Sequence, residues 1–144
     1  MKIGIFGGTF NPVHNGHLTI ADEFINKCEL DKLILIPNNV SPFKIDDDSV
    51  SAEHRLRMLN LAVQDRKNFE IDDFEIKKSG VSYTIETVEY LKSKFPEDHL
   101  FLLIGTDQAI DIDRWKNIDE IKKLVSIVVA DRTNELTTFL NSIY

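Results

Sequence analysis

The sequence lacks the features that mark several classes of protein. Its single cysteine, Cys28, cannot form a disulfide within the chain, and it falls where an amphipathic helix buries it, so we expect an inert packing side chain. No apolar run approaches the roughly 20 residues that span a bilayer. The N-terminus does not have the layout of a signal peptide. We therefore expect a cytoplasmic protein with no membrane partner.

Positive charge is also in short supply. The chain has 17 Lys and Arg against 24 Asp and Glu, which gives a net charge of −7. Proteins that bind nucleic acids usually carry a basic surface, so the sequence predicts no nucleic-acid partner. Any phosphate group must then be bound locally.

Apolar strands alternate with amphipathic helices along the chain. We predict strands at residues 2–6, 32–37, 99–105 and 125–130, with a weaker one near Phe69. We predict helices at residues 16–28, 51–64 and 84–95, the last capped by Ser82 or Thr84. The alternation predicts one α/β domain with a Rossmann-like open parallel sheet flanked by helices.

Glycine is scarce, yet four of the six glycines and two of the four histidines lie within residues 4–18. This stretch joins the first predicted strand to the first helix, where an open parallel sheet binds ligands and a helix N-terminus favours phosphate. Asn15 is the predicted N-cap, which places His17 in the first helical turn. The pattern favours a phosphate site.

Four interpretations of this turn compete. A dehydrogenase-type dinucleotide site is disfavoured because Gly4, Gly7 and Gly8 do not have the G-x-G-x-x-G spacing, and a P-loop is excluded because no lysine follows the glycines. A metal site at His14 and His17 is disfavoured because no nearby Cys, Asp or Glu completes the ligand set. A helix start without a function is disfavoured by two histidines three residues apart. We predict no metal bound by the protein itself.

Three segments carry a resemblance to a known family. The first, "GGTFNPVHNGH", matches the T/H-x-G-H signature of the nucleotidyltransferase superfamily and resembles the bacterial nicotinate mononucleotide adenylyltransferases. The segments "KKSGVSYTIETVEYL" and "LLIGTDQAIDIDRWKNIDEI" resemble that family's R-S-G-x-S-Y-T segment and its I-G-x-D segment followed by tryptophan. The order and spacing agree over residues 1 to about 132. The SYT segment and the tryptophan favour this family over sister transferases such as those acting on phosphopantetheine.

The resemblance implies a nucleotidyltransferase fold and an enzyme of NAD biosynthesis. Such an enzyme transfers the adenylyl group of ATP to nicotinate mononucleotide and releases pyrophosphate, with Mg²⁺ carried on the ATP phosphates. The catalytic residues implied are His14 and His17. The ATP-binding residues implied are Gly7, Gly8, Thr9, Phe10, His14, His17, Gly105 and Asp107. The mononucleotide-binding residues implied are Lys44, Thr84 and Trp115, with the Trp115 ring stacked on the pyridine ring.

The resemblance departs from the family pattern at the C-terminus. Family members continue for several tens of residues past the "VVADR" segment and carry there a serine or threonine motif followed by arginine, whereas this chain stops at Tyr144. We therefore expect residues 1–144 to form a single, C-terminally incomplete nucleotidyltransferase domain. Its expected partners are the two small-molecule substrates, and homo-oligomerisation stays open. The alternatives are a sister transferase or a non-catalytic nucleotide-binding fragment.

Overall fold

The fold is a parallel sheet with helices on both faces. The computed structural model describes residues 1–10, 13–39, 51–78 and 81–130. Its strands are β1 (Lys2–Gly8), β2 (Lys32–Pro37), β3 (Phe69–Ile71), β4 (His99–Gly105) and β5 (Val125–Ala130). Its helices are α1 (Asn15–Cys28), α2 (Ala52–Val63), α3 (Phe74–Lys78), α4 (Thr84–Lys94), α5 (Thr106–Ile110) and α6 (Ile118–Leu124), with a 3₁₀ turn at Ile112–Arg114.

The strand order creates a switch point in the middle of the sheet. The order is β3-β2-β1-β4-β5, and every pair of neighbours is parallel. β1, β2 and β3 lie side by side in chain order, and the chain then crosses back so that β4 lies on the other side of β1. In open parallel sheets the ligand crevice lies where the strand order reverses, here beyond the carboxyl ends of β1 and β4. The predicted Rossmann-like fold is confirmed.

Alternate residues of the central strands point into two separate cores. Ile3 and Ile5 of β1 belong to the core covered by α4 and α6, whereas Phe6 belongs to the core covered by α1 and α2. Gly4 faces α1 so closely that a Cβ there would lie 2.8 Å from Cε2 of Phe24 and would also clash with Leu30, which follows the helix. Both faces of β1 are therefore excluded from water, which explains why its apolar residues do not alternate with polar ones.

The start of α4 differs from the sequence prediction. Tyr83, rather than Ser82 or Thr84, is the N-cap, and its backbone N–H donates to Oε1 of Glu86 at 3.3 Å. The carboxylate of the third helical residue thus pairs the N–H of the N-cap residue, while the N–H of Glu86 donates to the oxygen of Tyr83 at 3.0 Å. Within the described ranges, no helix is long and apolar enough to cross a membrane.

Candidate functional site

Two cavities lie at the carboxyl ends of β1 and β4, one on each side of the switch point. The first cavity, of about 570 Å³, opens on the side of α4. Its polar and aromatic lining includes Asn38, Asn39, Glu75, Ser82, Tyr83, Thr84, Thr87, Gln108 and Trp115. The second cavity, of about 460 Å³, opens on the side of α1. Its lining residues include Phe6, Ile20, Gly105, Thr106, Asp107, Gln108 and Ala130.

The two cavities share part of their lining. Gly7, Leu103, Ile104 and Gln108 border both of them. Gly7 is the exposed, second-to-last residue of β1, so no side chain divides the two spaces at that point. A ligand with two halves can therefore occupy both cavities with its centre over the end of β1.

The two histidines of the glycine turn form the start of α1. His14 is the N-cap, and its Nδ1 accepts a hydrogen bond from the backbone N–H of Gly16 at 3.0 Å. The Nδ1 of His17 accepts from the backbone N–H of His14, also at 3.0 Å. The prediction of Asn15 as the cap is therefore wrong, because an imidazole nitrogen takes the place of the usual oxygen acceptor.

This reciprocal capping decides the tautomer of both neutral rings. Since a backbone N–H donates to each Nδ1, the ring proton of His14 and of His17 is on Nε2. The rings stack with their centroids 3.8 Å apart. The start of the helix therefore determines the orientation of both rings.

Glycine at position 16 leaves room for the His14 ring, which lies against it. A Cβ at Gly16 would lie 2.8 Å from Cε1 of that ring, closer than real Cβ contacts. The glycine between the two histidines is thus what allows the first imidazole to fold back over the helix end.

Phe10 is in contact with the second histidine of the turn, His17. Its ring packs edge-on against His17, with centroids 5.0 Å apart, and it is 2% exposed. Its φ of 47° lies in the left-handed region, which a bulky side chain rarely adopts. Such backbone strain persists only where the surrounding structure imposes it, and it gathers at functional sites.

The predicted ATP-binding residues lie around the second cavity and the start of α1. Gly7, Gly105 and Asp107 line the second cavity, whereas Gly8 lines only the first. The N–H of Gly105 donates to Oε1 of Gln108 at 3.0 Å, and this hydrogen bond caps the start of α5. Asp107 is exposed in the first turn of that helix. Neither cavity is lined by His14, His17, Thr9 or Phe10.

The predicted mononucleotide-binding residues separate into two groups. Thr84 and Trp115 both line the first cavity, Thr84 as the first residue of α4 and Trp115 directly after the 3₁₀ turn. Trp115 is half-buried and also packs against the core beneath α4 and α6. Lys44 lies outside the described residues.

Two lining residues that the sequence analysis did not assign to the site have buried polar atoms without a partner. Within the described part of the chain, Oδ1 of Asn38 and Oγ of Ser82 are buried and make no hydrogen bond. Buried polar groups are nearly always paired in folded proteins, so each such atom is a candidate ligand contact. The Asn pair after β2 was the available signal in the sequence for Asn38.

Glu75 is a carboxylate in the wall of the first cavity. Its Oε2 accepts from the hydroxyl of Thr87 at 2.6 Å. Burial raises the pKa of Glu75 above its ordinary value. Its neighbour Glu86 behaves in the opposite way, because a hydrogen bond from Lys78 at 2.8 Å lowers its pKa.

Metal ligands are not gathered at one point in the described ranges. No group of three or more His, Cys, Asp or Glu side chains there could hold a metal ion.

The comparisons with known proteins agree with one another. Residues 5–143 match the model of the cytidylyltransferase-like family. The chain is 40% identical to the nicotinate-nucleotide adenylyltransferase of Bacillus subtilis over 131 residues, which are 91% of this chain and 69% of that protein. It is 42% identical to a protein of Clostridium acetobutylicum named as a probable nicotinate-nucleotide adenylyltransferase, over 92% of this chain and 66% of that one.

A solved structure shares the fold. The Plasmodium falciparum nicotinic acid mononucleotide adenylyltransferase complexed with NaAD aligns with a TM-score of 0.77 at 18% identity, over 91% of this chain and 64% of that one. This chain thus spans about two thirds of the length of the proteins that it matches.

Proposed function

This chain belongs to the nicotinate-nucleotide adenylyltransferases of the cytidylyltransferase-like family, and we propose that it transfers the adenylyl group of ATP to nicotinate mononucleotide. The products are nicotinate adenine dinucleotide and pyrophosphate, and the reaction is a step of NAD biosynthesis. The observation that carries this proposal is the pair of cavities that meet over Gly7, one on each side of the switch point. A dinucleotide product has two halves, and the crevice has room for both.

We assign ATP to the second cavity and the start of α1. The first turn of α1 contains no Asp or Glu, whereas the first turns of α2 and α4 contain Glu53 and Glu86. The partial positive charge of the α1 N-terminus is therefore left for an anion. The Nε2–H groups of His14 and His17 add two donors for the phosphates.

We assign the mononucleotide to the first cavity. Its pyridine ring carries a positive charge, which favours contact with the face of an indole such as that of Trp115. Thr84, at the start of α4, can offer a hydroxyl to the nicotinate carboxylate. The unpartnered oxygens of Asn38 and Ser82 supply two further polar contacts in the same wall.

The reaction needs no nucleophile from the protein. A phosphate oxygen of the mononucleotide attacks the α-phosphorus of ATP, one P–O bond forms, and the bond to the bridging oxygen of the leaving pyrophosphate breaks. Catalysis then consists of aligning two anions and stabilising the charge on the α-phosphoryl oxygens. Hydrogen bonds from His14 and His17 serve that purpose.

Mg²⁺ enters this scheme with ATP. Mg²⁺ is usually held by one or two carboxylates together with substrate phosphates rather than by the protein alone. Asp107, which is exposed in the second cavity, is the carboxylate that we assign to the ATP side of the crevice. The ion bound to the phosphates neutralises part of their charge.

A single assay tests the proposal. The chain is incubated with ATP, Mg²⁺ and nicotinate mononucleotide, and the dinucleotide and pyrophosphate are quantified, with His17→Ala as the control for contaminating activity. Turnover with phosphopantetheine and not with the mononucleotide would support the sister transferase instead. ATP binding without turnover of either acceptor would identify a non-catalytic nucleotide-binding fragment.

A further inference from the structure

Arg55 in the first turns of α2 is a charged side chain inside the protein. It is 0% exposed, and only one other polar or charged residue in the described ranges, Thr87, is buried. Taking a guanidinium out of water is costly unless hydrogen bonds compensate. Burial accordingly lowers the pKa of Arg55 from its ordinary value. A charge kept in such a place needs a specific set of partners.

Two partners of the Arg55 guanidinium belong to two different loops of the candidate site. Its Nη1 donates to the backbone oxygen of Thr9 and to that of Asn38, each at 2.8 Å. Thr9 follows β1, and Asn38 follows β2. The same loops are joined by a hydrogen bond from the N–H of Asn38 to the oxygen of Gly8 at 2.9 Å. One buried guanidinium nitrogen therefore joins the carboxyl ends of two neighbouring strands.

The first of these contacts acts directly on the strained residue. The oxygen of Thr9 belongs to the peptide unit that leads into Phe10, so holding it restricts the orientation of that peptide. Phe10 has a φ of 47°, and its ring packs edge-on against both Phe6 and His17. A strained conformation lasts only where its surroundings enforce it. The contacts thus run from Arg55 through Thr9 and Phe10 to the His17 ring.

We propose that Arg55 is a positioning residue for adenylyl transfer, which holds the Thr9–Phe10 turn and thereby sets the His17 ring against the transferring phosphate. The inference rests on the proposed function for its reaction and on the contacts above for its mechanism. Arg55 itself does not touch the substrate in this proposal. Its effect is therefore on the orientation of a catalytic side chain, and small displacements of such groups can lower rates by roughly 100-fold.

The test compares three variants by NMR and by kinetics. Arg55→Met keeps the length and removes the donors, Arg55→Lys keeps a charge and donors, and Arg57→Met is the control at an exposed position of the same helix. In the ligand-free protein, the ring-proton signal of His17 is assigned by its absence from the spectrum of His17→Gln. Its chemical shift depends on the ring current of Phe10, which packs against it. We expect Arg55→Met to shift this signal and to lower kcat roughly 10- to 100-fold. Arg55→Lys should recover part of both, and Arg57→Met should change neither.

A purely structural role for Arg55 predicts a different result. The variant would then melt at a lower temperature, while the folded fraction kept the wild-type His17 signal and kcat, and that outcome overturns the proposal. If Arg55→Met does not fold, Arg55→Gln decides, because its shorter side chain does not reach the oxygens of Thr9 and Asn38, and an unmoved His17 signal in that folded variant also overturns the proposal. If the wild-type chain shows no turnover, the proposed function is wrong, but the positioning role of Arg55 is still tested. The His17 signal is measured without substrate, and ATP affinity then takes the place of kcat.

Discussion

The imidazole of His14 stacks on that of His17, with the ring centroids 3.8 Å apart and the ring planes inclined by 28°. Each ring also accepts a hydrogen bond on Nδ1 from a backbone N–H of the helix start. The two side chains therefore form one unit, in which a displacement of either ring disturbs the other. Residues that act as a unit give effects on catalysis that do not add.

The first prediction concerns this pair. His17→Ala should lower turnover roughly 100-fold or more, the usual loss for one preorganised donor, with little effect on folding. His14→Asn should also lower turnover while preserving stability, because asparagine can cap α1 in its place. The double variant should be scarcely slower than His17→Ala. Steady-state kinetics check the rates, and full activity of His17→Ala would remove the histidine from the mechanism.

The second prediction uses the sole tryptophan of the chain. Because Trp115 lines the first cavity and not the second, nicotinate mononucleotide should quench its fluorescence, and ATP should not. Trp115→Ala should weaken mononucleotide binding by roughly 10-fold, about 1.4 kcal/mol of cation–π contact, and should leave ATP binding nearly unchanged. Trp115→Phe should recover part of the loss. Equal losses for both ligands would make Trp115 a core residue.

The third prediction distinguishes a binding role from a folding role for Ser82. A buried hydroxyl without a partner costs on the order of 1–3 kcal/mol, so Ser82→Ala should leave the free energy of unfolding unchanged or raise it. The same change should weaken mononucleotide binding several-fold. Urea unfolding and ligand titration measure the two quantities. Ser93→Ala, at an exposed position of α4, is the matched control for ligand binding and should leave mononucleotide affinity unchanged.

The fourth prediction concerns Glu75 and pH. Its pKa is raised by burial, so the folded protein holds this proton more tightly than the unfolded chain does. The free energy of unfolding should therefore fall as the pH rises from the ordinary value of 4.5 to the raised value. Glu75→Gln keeps an acceptor for Thr87 and removes the titration, so its stability should not show this fall.

Glu86→Gln is the control of opposite sign for that experiment. The pKa of Glu86 is lowered by Lys78, so its contribution to stability is present above the ordinary value and is lost as the pH falls toward the lowered one. Urea unfolding over a pH series measures both variants against the wild type. Identical pH profiles for Glu75→Gln and the wild type would show that Glu75 does not titrate as its burial requires.

Much of the fold could be predicted from the residues because strands and helices leave local patterns. β2 has the bounds predicted for it, Lys32–Pro37, with apolar residues at every position after the lysine, and the parallel sheet follows from the alternation of strands and helices. The helix starts were less predictable. His14 caps α1 and Tyr83 caps α4, because side chains three residues ahead supply acceptors that short-range cap preferences do not anticipate.

The sequence by itself determined the order of the five strands and of the three longest helices, the glycine turn between β1 and α1, and the family to which the chain belongs. Only the tertiary structure decided that Gly7 borders two cavities, that the oxygens of Asn38 and Ser82 are buried without partners in one of them, and that Arg55 joins two loops. The physical reason is distance along the chain. Arg55 is 46 residues from Thr9, and a contact between residues so far apart depends on how the strands are ordered in the sheet, which no local pattern records.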